Sequence, residues 1–129
     1  MFKAKLHDKV VLYMANYFKH IRIRHPEVTI EIISSVLSDP DEVCKKSRNS
    51  KECYYYKNID SIEYKVIIAP SEYNRKAVIT AYPVKNIKTE HDKYKIYCCF
   101  LANDAISHEE QQAILDAITE EYAAILACN

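Results

Sequence analysis

The 129-residue chain contains no glycine, although average usage of about 7% would place roughly nine in a chain of this length. Glycine lets the backbone approach a phosphate closely, and three common devices depend on it. The Walker phosphate loop, the dinucleotide-binding G-x-G-x-x-G turn and the G-x-S-x-G nucleophile elbow are therefore all excluded. Whatever chemistry the chain performs must be built from side chains on ordinary helices and strands.

The length suits a single domain over residues 1–129. At 49% hydrophobic and 28% charged residues, the chain is too apolar for a disordered segment and too interrupted by charge for a membrane span. Eighteen basic and eighteen acidic residues cancel, but they are unevenly spread. Residues 1–100 carry all 18 basic and 12 of the acidic side chains, whereas 101–129 carry six acidic and none basic. A basic body attracts a polyanion, while an acidic C-terminal stretch suits a solvated helix face. Five cysteines, Cys44, Cys53, Cys98, Cys99 and Cys128, form no C-x-x-C pair and no histidine spacing for zinc, so no metal site and no cofactor is expected. The N-terminus MFKAKLHDK lacks the apolar run of a secretory signal, and reduced thiols in a leaderless chain point to the cytoplasm.

Between Leu6 and Arg24, the apolar residues Val10, Tyr13, Met14, Tyr17, Phe18 and Ile21 fall at the i, i+3, i+4 spacing of one helical face. Pro26 ends this helix. Thr29 can cap a second, carrying Ile32, Ile33, Val36 and Leu37 and stopped by Asp39-Pro40. Tyr54–Tyr56, Tyr64–Ala69 and Ala77–Tyr82 then read as strands, being short aromatic and β-branched runs separated by turn-forming stretches. Val43–Ser47 can add an edge strand and Tyr94–Leu101 a further one, after a polar connection over Lys85–Lys93. Ser107 and Glu110 form a capping box for a last amphipathic helix carrying Ile114, Leu115, Ile118, Tyr122, Ile125 and Leu126. The class is α+β: two N-terminal helices, an antiparallel sheet of about four to five strands, and a C-terminal amphipathic helix.

Two groups carry candidate chemistry. His20, Arg22, Arg24 and His25 cluster at the end of the first helix, with His20 and Arg24 four residues apart on one face. An imidazole moves protons near neutral pH, and a guanidinium holds phosphate oxygens in a fork. The same cations also suit the dipole of a helix C-terminus. Thr80 and Tyr82 share one face of a strand that starts at Arg75 and Lys76, offering hydroxyls to an oxyanion and cations to a substrate. Both hydroxyl residues are equally good strand formers on a solvated face. Tyr54, Tyr55 and Tyr56 must alternate, so at least one ring, with Tyr55 taken as a substrate-stacking candidate, is expected to be exposed to unpaired bases. Core packing with hydroxyls at the edge is the alternative for these rings.

The order His20-Ile-x-x-Arg24-His25-Pro26-Glu27, a short helix, Asp39-Pro40-Asp41-Glu42-Val43, Tyr54-Tyr55-Tyr56-Lys57, Tyr64-Lys65-Val66-Ile67-Ile68 and Val78-Ile79-Thr80-Ala81-Tyr82-Pro83 resembles the phage- and mobile-element-associated domains of the barnase–EndoU–colicin E5/D–RelE-like nuclease superfamily. The resemblance covers about residues 15–85, leaving an extra strand and an acidic helix over 93–129. It implies metal-independent RNA cleavage, in which the ribose 2′-hydroxyl attacks the adjacent phosphate and leaves a 2′,3′-cyclic end. By the resemblance, His25 or His20 serves as general base or acid, with the assignment between them open, Arg24 binds phosphate, Thr80 and Tyr82 position it, and Lys65 is a further candidate for stabilising charge. Glu72-Tyr73-Asn74-Arg75 stands where the family has turn glycines. RNA is the expected partner, with a cognate inhibitor protein as a second and no membrane. The competing reading is a non-catalytic module, or an immunity-like protein, that binds RNA or protein through the same groove or through the acidic helix.

Overall fold

Pro26 and Pro40 punctuate the N-terminal part of the chain, because the residue before a proline is driven out of the helical region of φ/ψ space. The computed structural model describes residues 1–102. In it the first helix, α1 (residues 14–24), runs through Met14–Asn16, a π-helical turn Tyr17–Ile21 and Arg22–Arg24, and stops at His25 with φ −137°. The second, α2 (Ile30–Ser38), is capped by Thr29, whose Oγ1 accepts the Ile32 N–H at 3.2 Å, and it buries Ile33, Val36 and Leu37. Helix α2 thus has the expected cap and core face.

Helix α1 begins later than its apolar spacing predicts. Val10 and Val11 form a two-residue strand, β1, paired in parallel with Lys76 and Ala77. Of the expected apolar face, Tyr17 and Ile21 are buried and hold α1 to the sheet, whereas Tyr13, Met14 and Phe18 are exposed. A fully buried side chain of this size contributes roughly 1.5–3 kcal/mol. Two such anchors hold an eleven-residue helix, and hydrogen bonds from its side chains add the rest.

The sheet contains β2 (Glu42–Lys45), β3 (Cys53–Ile59), β4 (Ile62–Pro70), β5 (Lys76–Pro83) and β6 (Tyr97–Leu101) in addition to β1. Its spatial order is β1-β5-β4-β3-β2-β6. The fold is α+β as expected, but the sheet has six strands and is mixed, because β1 joins β5 in parallel while every other pair is antiparallel. Residues expected to be a plain polar connection instead form helix α3 (Ile87–Tyr94), capped by Asn86, whose Oδ1 accepts the Thr89 N–H at 2.9 Å. The expected C-terminal helix lies outside the described residues.

Both faces of the sheet are covered. Helices α1 and α2 pack on one face over Tyr55, Tyr64, Val66, Ile68, Val78 and Ala81. Cys44, Tyr54 and Tyr56 lie on the other, with Tyr94 of α3 and Ile67 against them. Period-two alternation therefore sends consecutive tyrosines into two separate cores, and Tyr54, Tyr55 and Tyr56 are all essentially inaccessible. The expectation that one of these rings meets solvent is corrected.

Without glycine, the positive-φ positions fall on Asp60 (52°), Ser61 (69°) and Asn74 (58°). Asp60 and Ser61 make the two-residue turn between β3 and β4, the type I′ geometry that hairpins favour. Asn74 ends the 3₁₀ turn Glu72–Asn74 and delivers the chain into β5. Asp and Asn tolerate this region because their short polar side chains bond locally.

Candidate functional site

A π-helical turn needs more than four residues per revolution, whereas an α-helix needs 3.6. A four-residue step therefore falls short of a full turn in one and overshoots in the other. Mixing the two keeps Asn16, His20 and Arg24 on one line of α1. These three, with His25, form one wall of a groove of about 500 Å³ whose other wall is Ile79, Thr80 and Tyr82 of β5. The two groups singled out in the sequence thus meet across one cavity.

Each wall has its own fixings. The β4–β5 ladder shifts register between Ile67 and Ile68, so that Ile67 pairs with Thr80 and Ile68 with Val78, leaving Ile79 as an extra residue in β5. Such a bulge bends the strand and re-aims its side chains. The carbonyls around it are met from the helix: Asn16 Nδ2 donates to the Val78 and Ile79 oxygens, each at 3.1 Å. Asn16 therefore ties the two walls together. Beyond the bulge, Thr80 and Tyr82 share the face opposite the α1–α2 core, since Val66 and Ala81, which pair with each other, lie in that core.

His25 is fixed through its backbone. Pro26 takes it out of the helix, its N–H still donates to the Ile21 carbonyl at 2.8 Å, and its own carbonyl accepts the Val28 N–H at 3.0 Å. The buried Tyr17 hydroxyl donates to the Val28 carbonyl at 3.2 Å, holding the loop from below. The half-buried His25 ring lies 5.8 Å from the Tyr82 ring, tilted by 36°. Glu27 stands 3.7 Å from His25 Nδ1, beyond hydrogen-bond length. His20 and Arg24 are exposed on the groove rim, where a guanidinium is free to grip an anion. Burial first, then the Glu90 carboxylate and the Tyr94 hydroxyl, push the Tyr82 hydroxyl up to about 12. Tyr82 therefore keeps its proton at neutral pH and can donate to an oxyanion.

Three other expected site residues lie elsewhere. Lys65 pairs with Tyr82 across the strands but is fully buried. Its ammonium pairs with Glu90 of α3 and lies under the faces of Tyr94 (3.7 Å), Tyr54 (4.3 Å), Tyr82 (5.5 Å) and Tyr56 (5.7 Å). Lys65 thus lies behind the Tyr82 ring, and the expectation that it meets substrate directly to stabilise charge is corrected. Tyr55 is buried on the opposite face, where its hydroxyl bonds His7 Nδ1 at 2.6 Å and accepts the Leu6 N–H at 3.0 Å. No base can stack on it. Arg75 belongs to a second cavity, lined by His7, Asp8, Lys9, Asn74 and Lys76.

Asn16 and Ile79 are groove residues that the sequence reading did not single out. For Asn16 a signal existed, the four-residue spacing 16, 20, 24; for Ile79 none did, because a bulge leaves no mark in strand periodicity. Among the described residues, no cluster of His, Cys, Asp and Glu is arranged to hold a metal ion, and no helix is long and apolar enough to cross a membrane. Comparisons with protein-family models, curated proteins and solved structures find no match for this chain.

Proposed function

We propose that the groove between α1 and β5 is the active site of a small, metal-independent endoribonuclease, divergent from the barnase–EndoU–colicin E5/D–RelE-like nucleases. One observation carries this reading: the His20 imidazole and Arg24 guanidinium of α1, with the His25 imidazole just past its end, stand across a single cavity from the Thr80 and Tyr82 hydroxyls. Those are the groups that cleavage of RNA by its own 2′-hydroxyl requires.

One imidazole takes the proton from the ribose 2′-hydroxyl as O2′ bonds to phosphorus. The bond from phosphorus to the 5′ oxygen breaks, and the other imidazole, protonated, gives its proton to that oxygen. The products are a 2′,3′-cyclic phosphate and a free 5′-hydroxyl. Arg24 offsets charge on the non-bridging oxygens, toward which Thr80 and Tyr82 donate hydrogen bonds. Among the described residues, 18 basic side chains against 12 acidic ones draw the polyanion to the groove.

The test is incubation of the purified chain with a mixed RNA pool in EDTA, beside His25→Ala and His20→Ala. Cyclic-phosphate ends from the parent, lost in both variants with folding intact, are the expected result. Cleavage surviving in both variants, or a folded parent that binds RNA and makes no new ends, overturns the assignment.

A further inference from the structure

The second cavity, of about 580 Å³, opens where the N-terminal segment meets the start of β5. Its wall carries Lys9, Arg75 and Lys76 against one carboxylate, Asp8. Among the described residues, none of these three cations takes part in an ion pair. The floor beside them is rigid, because the His7 ring is held by the Tyr55 hydroxyl on one nitrogen and lies 3.9 Å from Cys53 Sγ on the other. A concave, firmly backed surface with excess positive charge is chemistry for an anion, and it repels a metal ion.

Its position relative to the groove narrows the anion further. Lys76 opens β5 and the groove residues of the same strand run from Ile79 to Tyr82, so at about 3.3 Å per residue the two cavities stand roughly 10–20 Å apart along one strand. That span suits several nucleotides of a single RNA strand. We infer that the cavity lined by Lys9, Arg75 and Lys76 is a phosphate subsite, gripping the backbone of the RNA strand whose scissile bond occupies the His20–His25 groove. The inference rests on the reading that this groove holds RNA. The subsite selects for length: a fragment filling the groove alone misses it, and a longer strand reaches it.

The test uses fluorescent, fully 2′-O-methylated oligonucleotides, which lack the attacking hydroxyl and so report binding alone. A trimer and a decamer are titrated against the parent and against the double variant Lys9→Gln/Arg75→Gln, both of whose positions are exposed. The parent is expected to prefer the decamer by roughly tenfold or more, and the variant to lose that preference. The dependence of log affinity on log salt for the decamer should become shallower by about 1.4, because each lost phosphate contact on a single strand removes about 0.7. His7 gives a second readout: burial, then Lys76 and Lys45, hold its imidazole below the ordinary range. A phosphate beside Lys76 offsets that lysine's charge and raises it, so NMR titration of the His7 ring should move upward with the decamer and stay put with the trimer.

Equal affinity of the parent for both lengths overturns the subsite, as does a double variant that keeps the full preference. Cleavage of the unmodified decamer is followed separately. Length-dependent binding without new ends overturns the ribonuclease reading and leaves the subsite standing, whereas cleavage with no length dependence overturns the subsite alone.

Discussion

The Lys65 ammonium and the Glu90 carboxylate form an ion pair sealed between strand β4 and helix α3, directly behind the Tyr82 ring that faces the groove. The Tyr56 hydroxyl donates to the same carboxylate oxygen. Apart from Glu90, the buried ammonium finds no oxygen acceptor among the described residues, and its other N–H groups meet aromatic faces. Burial pulls the Lys65 pKa down against the opposing pull of Glu90. Breaking a buried pair leaves an uncompensated charge, at a cost of about 3–5 kcal/mol. Lys65→Met is therefore expected to lower the unfolding free energy by about that amount in urea denaturation. Removing both charges, in Lys65→Met/Glu90→Leu, should recover most of the loss. Equal destabilisation by the single and double variants would show that packing, and not charge pairing, is what the site supplies.

Asn16 makes a different kind of link, a pair of neutral hydrogen bonds from α1 to the carbonyls of the β5 bulge. Asn16→Ala should cost only about 1 kcal/mol of stability, the usual net value of such bonds at a partly exposed site. Its effect on RNA cleavage should be larger, because the variant frees the wall carrying His20 and Arg24 from the wall carrying Thr80 and Tyr82. Asn16→Asp should fail to rescue, since a carboxylate cannot donate to a carbonyl. Cleavage rates that track stability alone in both variants would remove Asn16 from any positioning role.

The sequence held much of this arrangement in its local chemistry. Thr29 and Pro40 bounded α2, and the aromatic and β-branched runs marked β3, β4 and β5. The histidines of the first helix and the hydroxyls of Val78–Tyr82 were legible as two groups; their meeting was not, since it depends on how α1 lies along an open stretch of β5. Val10 and Val11 satisfied a helical period equally well, and only pairing with Lys76 and Ala77, distant in sequence, made them a strand. Helix α3 escaped because its one buried member in the sheet-facing turn is a glutamate, which apolar periodicity cannot register; its Asn86 cap was the available signal. Lys65 looked like a ligand for phosphate because a lysine is rarely sealed. Its partner, Glu90, lies 25 residues away on α3, a helix that apolar periodicity does not mark.

His7 gives the fold a dependence on pH. Burial first, then the positive charges of Lys76 and Lys45, lower its pKa from the ordinary 6.5. The unfolded chain, with the higher value, takes up that proton before the folded one does, so stability falls as pH drops from about 6.5 toward the folded-state pKa. His7→Asn keeps a polar partner for the Tyr55 hydroxyl and has no proton to gain. Its unfolding free energy should therefore change less than the parent's between pH 7.5 and pH 5 in urea titrations. Matching slopes for the two proteins would mean that His7 is not a source of the acid sensitivity.

Arg24 is asked to stabilise charge in the transition state, so its loss should appear in kcat. Arg24→Ala is expected to lower kcat by about 10²–10³-fold, the usual loss on removing one preorganised charge-stabilising group. Arg24→Lys, which keeps the charge but not the planar fork, should recover only part of this. A variant whose KM rises while kcat is unchanged would place Arg24 in ground-state binding instead.

The hairpin between β3 and β4 stores a local strain that a single substitution should release. Ser61 holds φ at 69° in a two-residue turn where the second position usually belongs to glycine. A residue with a Cβ gives up roughly 1–2 kcal/mol there, whereas glycine gives up about 0.5–1 kcal/mol through the greater freedom of the unfolded chain. Among the described residues, the one side-chain partner of this residue is Asn58, whose Oδ1 accepts the Ser61 backbone N–H at 3.1 Å, a bond that survives the change. Ser61→Gly should therefore stabilise the fold by about 0.5–1 kcal/mol, raising Tm by about 2–4 °C. Ser61→Val, β-branched at the same angle, should lower Tm. If Ser61→Gly left Tm unchanged or reduced it, the turn would not be strained, and the absence of glycine would carry no stability penalty at this hairpin.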